Sequence, residues 1–201
     1  MRIMNRRKFF WSSGMAALCL VLRSCLPASK SGPPHILLRS SWQTVNIGDI
    51  AHTPGVLKIR QKHLPEAEIT LWPSYVDNGV EELLCREFPE LKIANPGTDA
   101  LERAFKECDF LLHGSGPSIV AEQDIVRWYK ETGKPYGIYG ITFSKKHSTS
   151  IHATDEKALK HSVAVLSQAR FVFFRDSKSL ELARELGALS PVMEYGPDGA
   201  F

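Results

Sequence analysis

The chain has 201 residues, 43% of them hydrophobic, a formal net charge of +3 and four cysteines. Part of that charge sits at Arg2, Arg6, Arg7 and Lys8, so the rest of the chain is near neutral without a long basic run, which excludes the electrostatic footprint of a nucleic-acid-binding protein. There is no Cys-x-x-Cys, no paired-histidine spacing to ask for zinc, no internal repeat and no low-complexity segment, and the length beyond the opening residues suits one domain with one substantial core.

Residues 1–31 read as a targeting segment. A basic start is followed by an apolar stretch, Phe9 to Leu22, of signal-peptide length and too short to span a bilayer comfortably. Arg6-Arg7 followed by Lys8-Phe9-Phe10 resembles a twin-arginine export signal, with Asn5 where Ser or Thr is commoner. An ordinary secretory signal, or a membrane tether that leaves the domain on the cytoplasmic side, fits the same residues. The expected location is the cell envelope or periplasm, or the inner membrane surface. Cys25 stands where a lipidation cysteine would, but Arg23 fits that use poorly. Cys19 also lies in this segment, leaving Cys85 and Cys108 to the domain, where apolar helical surroundings predict buried free thiols.

From His35 onward strand and helix patterns alternate. The strands are expected at His35–Arg39, Glu68–Trp72, Leu91–Ala94, Phe110–His113, Pro135–Ile141, Phe171–Arg175 and Val192–Tyr195. The helices are expected at Pro54–His63, Val80–Phe88, Asp99–Glu107, Gln123–Thr132, Asp155–Gln168 and Ser177–Leu186. Thr53-Pro54 is a good helix opening, Thr98-Asp99 and Thr154-Asp155 are plausible caps, and Ser177 or Asp176 can cap the last helix. Short connections between alternating elements predict a Rossmann-like α/β domain over residues 35–201, a parallel sheet flanked by helices. The chain stops at Gly196-Pro197-Asp198-Gly199-Ala200-Phe201, a loop just begun, so a second domain is expected beyond it.

In such a sheet ligands bind at the carboxyl ends of the strands. The loop Asn46-Ile47-Gly48-Asp49 sets a glycine among polar side chains. Gly48 would let the backbone approach a ligand hydroxyl or anion, or the loop is an Asx-type turn that only joins strand to helix. Gly114-Ser115-Gly116 lacks the third glycine of a dinucleotide loop and the frame of a nucleophile elbow, and reads better as a backbone-lined pocket wall. His113 ends the preceding strand facing that pocket or the core. Arg175 closes the Phe171–Phe174 run, where a rigidly held guanidinium can bind carboxylate or phosphate through two parallel hydrogen bonds, or else form a salt bridge to Asp176 or Asp198. Asp198 would orient Arg175 or face an interdomain cleft. Lys145, Lys146 and His147 read as solvated loop.

Arg175-Asp176-x-x-Ser179, a helix ending in Leu186-Gly187, and a strand leading to Pro197-Asp198-x-Ala200-Phe201 together resemble the middle of the polysaccharide pyruvyl transferase family. Asn46-Ile47-Gly48-Asp49-Ile50-Ala51 and Leu112-His113-Gly114-Ser115-Gly116 fit the same pattern, although the family usually has a glycine where Ser115 stands. The resemblance runs from about His35 to Phe201, the N-terminal half of a member.

It implies a GT-B-type two-domain transferase that moves the enolpyruvyl carbons of phosphoenolpyruvate onto two hydroxyls of a sugar, as in exopolysaccharide decoration. No further cofactor is implied, and the partners are a glycan acceptor and phosphoenolpyruvate. Arg175 becomes an anion clamp and Asp49 a catalytic acceptor of hydrogen bonds. Asn46, Gly48, His113, Gly114, Ser115, Gly116, Ser177 and Asp198 become substrate-binding positions. Further arginines and an acidic histidine belong to the family's second half, so this chain alone is expected to be inactive. Phosphoenolpyruvate is cytoplasmic, which sits uneasily with export. A GT-B glycosyltransferase using a nucleotide sugar, and an exported glycan-binding domain without catalysis, are the alternatives.

Overall fold

The computed structural model describes Ser24 and residues 32–145, 156–196 and 198–200. The expected targeting segment apart from Ser24, the residues Lys146 and His147, the expected cap Thr154-Asp155, and Pro197 and Phe201 lie outside the described residues.

From residue 32 onward the described residues form thirteen elements in strict alternation: β1 His35–Ser40, α1 Ile47–His63, β2 Glu68–Pro73, α2 Val80–Glu87, β3 Lys92–Ile93, α3 Asp99–Glu107, β4 Phe110–His113, α4 Glu122–Thr132, β5 Tyr136–Ile141, α5 Glu156–Gln168, β6 Val172–Phe174, α6 Ser177–Glu185 and β7 Met193–Tyr195. The strands form one seven-stranded sheet in the order β3-β2-β1-β4-β5-β6-β7, and every pairing is parallel. The chain builds outward from β1 in one direction, then returns to the other side of β1 with β4. That reversal leaves a crevice at the carboxyl ends of β1 and β4, the place where such sheets receive ligands.

Near-continuous apolar strands need cover on both faces. On one face Leu37, Leu111, Ile138, Val172 and Phe174 pack with Leu101 and Phe105 of α3, Ile125 and Trp128 of α4, Leu166 of α5 and Ala183 of α6. On the other, Ile36, Leu38, Leu71, Phe110 and Leu112 pack with Val56 and Leu57 of α1 and Leu84 of α2. Phe171 stacks on Phe110 with ring centroids 5.8 Å apart. It reaches that position because residue 137 is glycine: a Cβ there would stand 2.3 Å from the Phe171 ring. Truncating one of these buried side chains to alanine costs about 2–5 kcal/mol.

One irregularity serves the site. The register of β5 on β6 shifts between Tyr139 and Ile141, around Gly140 at φ 70°. The bulge carries Ile141 and Thr142 toward the end of β6, so that the backbone N–H of Arg175 donates to the Ile141 carbonyl at 3.0 Å.

Several expectations need correcting. Helix α1 begins at Ile47, and Pro54 lies inside it. The Asn46 side chain accepts from the Gly48 N–H at 2.9 Å and opens the helix well before the proline. The α6 cap is Asp176, whose carboxylate accepts from the Ser179 N–H at 2.8 Å, while Ser177 is an exposed first helical residue. Thr98 occupies its cap position without a side-chain cap bond; its hydroxyl donates to the Asn95 carbonyl at 2.7 Å. Cys108 is buried but Cys85 is exposed, because α2 turns Val80 and Leu84 inward and Cys85 out.

Candidate functional site

At the carboxyl edge of the sheet, side chains from four segments join in one line. The Arg175 Nε–H donates to Thr142 Oγ1 at 2.6 Å, and Nη1–H donates to Asp198 Oδ2 at 2.8 Å. Asp198 Oδ1 lies 3.0 Å from His52 Nε2 and also accepts from the Ala200 N–H at 3.0 Å. His52 Nδ1 lies 3.9 Å from Asp49 Oδ1, and Gln43 Nε2–H donates to Asp49 Oδ2. Arg175 is 30% exposed at its side chain and Asp198 13%, so the line is sheltered at its centre and reaches solvent at its Arg175 end.

Burial would raise the Asp198 carboxyl, but the hydrogen bonds from His52, the Ala200 N–H and Arg175 outweigh it and hold the group down at about 2. Asp198 is thus a fixed anion, and it neutralises much of Arg175. The guanidinium still presents its Nη2 edge, which has no hydrogen bond among the described residues.

Local sequence explains the placement. Asp49 and His52 stand three residues apart in α1 and so share one face. Three residues on, a Cβ at position 55 would fall 1.5 Å from the Gly199 carbonyl oxygen, so only glycine lets the loop after β7 lie against the helix. The Gly199 N–H then donates to Ser115 Oγ at 2.8 Å.

The remaining predicted positions divide by exposure. Asn46 and Gly48 are exposed and engaged with each other in the cap of α1. Ser177 is exposed but outside this line of side chains. Gly114, Ser115 and Gly116 are buried: Ser115 spends its hydroxyl on Gly199 and its carbonyl on Trp42 Nε1–H at 2.6 Å. A Cβ at Gly114 would stand 2.8 Å from Ser40 Oγ, so this loop forms the floor behind the line. His113 is wholly buried against the Trp42 ring, with centroids 4.9 Å apart. Its Nε2 accepts from the Ala121 N–H at 3.3 Å. Burial, and then the charge of Arg39, push it down to about 3, so it stays neutral.

Sequence reasoning missed His52 and Arg39. The signal for His52 was its i,i+3 spacing from Asp49. That for Arg39 was a cation at the end of an apolar strand, the same signal that drew attention to Arg175. Arg39 is buried, with Nε–H on Asp124 Oδ2 at 2.8 Å, Nη1–H on the Trp72 carbonyl at 3.2 Å and Nη2–H on Ser74 Oγ at 2.8 Å. It lies over the rings of Trp42 and Trp72, 5.0 and 5.2 Å from their centroids.

Comparison with known proteins adds to this geometry. A family model described as polysaccharide pyruvyl transferase matches residues 46–201. No curated protein matches the chain. Among solved structures the chain is similar to Medicago truncatula UGT71G1 complexed with UDP-glucose, at 10% identity and a TM-score of 0.50, over 82% of this chain and 52% of that one. It also matches Arabidopsis thaliana UGT89C1 complexed with UDP-L-rhamnose, at 14% identity and a TM-score of 0.42, over 76% of this chain and 47% of that one. The chain spans about half the length of the solved structures it matches. At such identity the first likeness is one of fold alone: a Rossmann-like sheet of the kind found in GT-B-type glycosyltransferases.

Proposed function

The chain belongs to the polysaccharide pyruvyl transferase family, and from that premise we propose that it supplies one half of an enzyme that moves the enolpyruvyl group of phosphoenolpyruvate onto a glycan as a ketal. The observation that carries this reading is the Thr142–Arg175–Asp198–His52–Asp49 line at the carboxyl edge of the sheet, which lies entirely within the matched residues. Arg175, fixed on two sides, offers its remaining guanidinium edge to the donor's carboxylate or phosphate. Asp49 faces the acceptor sugar.

The reaction balances as follows. One sugar hydroxyl loses its proton to a base as its oxygen bonds to C2 of the donor, while C3 gains a proton and becomes a methyl group. The second hydroxyl then attacks C2, loses its own proton, and phosphate departs. The protein must therefore provide a proton acceptor, a proton donor and cations for the donor's anionic groups. This chain offers the first and part of the last; the remainder would come from a second domain, as in two-domain transferases.

The test uses the full-length protein, phosphoenolpyruvate and a glycan acceptor, with phosphate release and the ketal methyl resonance as readouts. Arg175→Ala is expected to lower kcat/KM by about a hundredfold or more while the protein stays folded. Transfer supported by a nucleotide sugar, with none from phosphoenolpyruvate, would replace this reading with that of a glycosyltransferase.

A further inference from the structure

The His52–Asp49 contact has an unusual hydrogen-bond balance. Asp198 is an anion that only accepts, so the His52 Nε2 atom 3.0 Å away must carry its hydrogen and donate. In the neutral ring that assigns the hydrogen to Nε2 and leaves Nδ1 as a lone pair. Nδ1 is buried and has no hydrogen-bond partner among the described residues. His52 as a whole is 5% exposed. The nearest acidic atom is Asp49 Oδ1 at 3.9 Å, beyond hydrogen-bond range. Asp49 Oδ2 is already tied to Gln43. With the ring neutral, two acceptor atoms face each other inside the protein, in an arrangement that one added proton would turn into a hydrogen bond. Buried polar atoms without partners are uncommon and invite a reason.

We propose that Asp49 takes the proton from an attacking sugar hydroxyl and that His52, held in its Nε2–H tautomer by Asp198, receives that proton on Nδ1. This rests on the transferase reading for the identity of the hydroxyl, but not for the state of the imidazole. The hydroxyl O–H bond breaks, an Asp49 O–H forms, and the proton passes to Nδ1. The resulting imidazolium then lies between two carboxylates, with its positive charge compensated on both sides. The charged groups facing the ring are Asp49 from its own helix and Asp198 from the loop after β7, with Arg175 behind Asp198. Asp49 is the group that touches substrate, and His52 is a positioning residue and proton store behind it.

The first experiment needs no substrate. Nitrogen-15 correlation spectra of the imidazole rings in the full-length protein at neutral pH, with His52 assigned by comparison with His52→Gln, are expected to give a protonated Nε2 and a bare Nδ1. Asp198→Asn should abolish that preference, because a neutral amide can donate as well as accept. A protonated Nδ1 in the wild type would overturn the proposal.

The second experiment is kinetic. His52→Gln keeps a donor for Asp198 but offers no basic nitrogen. It is expected to lower kcat by about a hundredfold with KM for phosphoenolpyruvate unchanged, and to remove the limb of the pH–rate profile that needs a free base. Wild-type kcat in that variant, with the fold confirmed by circular dichroism, would overturn the proposal. A wild-type protein that transfers nothing from phosphoenolpyruvate would sink the transferase reading, and the tautomer spectra would still decide the imidazole's state.

Discussion

Arg39 and Arg175 both stand where an apolar strand meets a loop, yet they are used in opposite ways. Arg39 is closed in: an acid, a carbonyl and a hydroxyl take its donors, and two tryptophan rings lie against its guanidinium. Arg175 is braced by Thr142 and Asp198 and keeps one edge toward solvent. The lesson is that position at a strand end does not separate a cation closed into the scaffold from one that keeps an edge open. The number of donors left over does.

That contrast can be broken most forcefully by deleting the two guanidiniums in turn. Arg39→Ala is expected to lose about 3–5 kcal/mol of stability, since it strands Asp124 and the Trp72 carbonyl and opens a void between two indoles. Arg175→Ala should lose less, about 1–2 kcal/mol, because Asp198 keeps its bonds from His52 and the Ala200 N–H. Urea unfolding of both variants measures the difference, and equal losses would erase the distinction.

A pH series sharpens the picture on the Arg39 side. The His113 imidazole is pushed by burial and the Arg39 charge from an ordinary 6.5 to about 3. Above pH 6.5 both folded and unfolded chains hold it neutral. Below that, the unfolded chain takes up a proton that the folded one refuses, so stability falls as pH falls, down to about 3. Between pH 6.5 and 5 the loss is about 2 kcal/mol. His113→Gln should flatten that part of the curve of urea midpoint against pH, and an unchanged slope would argue against a neutral buried ring.

The smallest effect belongs to the Arg175 side. Gly55→Ala would gain about 1 kcal/mol from helix propensity alone, yet its Cβ meets the Gly199 carbonyl. Overpacking of this kind costs about 1–3 kcal/mol, so no rise in Tm is expected, and the Gly199 amide should exchange its hydrogen faster once drawn away from Ser115. A raised Tm would mean that the loop and the helix do not touch.

Much of this was legible in the chain, because the strong signals were local. Apolar runs closed by charged or glycine steps located all seven strands, and the order of motifs located the family. What was missed turned on a cap, on the phase of a helix, or on a contact distant in sequence. Pro54 read as a helix start because its own chemistry allows that; only the Asn46 cap places the start earlier. Cys85 has apolar neighbours in sequence but an outward place on α2, which depends on the phase of the helix. Arg175 and Asp198 could be paired on paper, since both sit at strand ends. His52 could not: its importance arises when the loop after β7 crosses onto α1, an encounter of residues far apart in the chain.

The two rims of the sheet bear on how this domain can meet other protein. β3 is two residues long and β7 three. The first carries Lys92 paired to Glu68 and the second an exposed Glu194. Short, charged rims give a foreign strand little to zip onto. Growth of the sheet sideways is therefore disfavoured at β3 and β7, so strand addition is a poor route for another protein to reach the Arg175–Asp49 line.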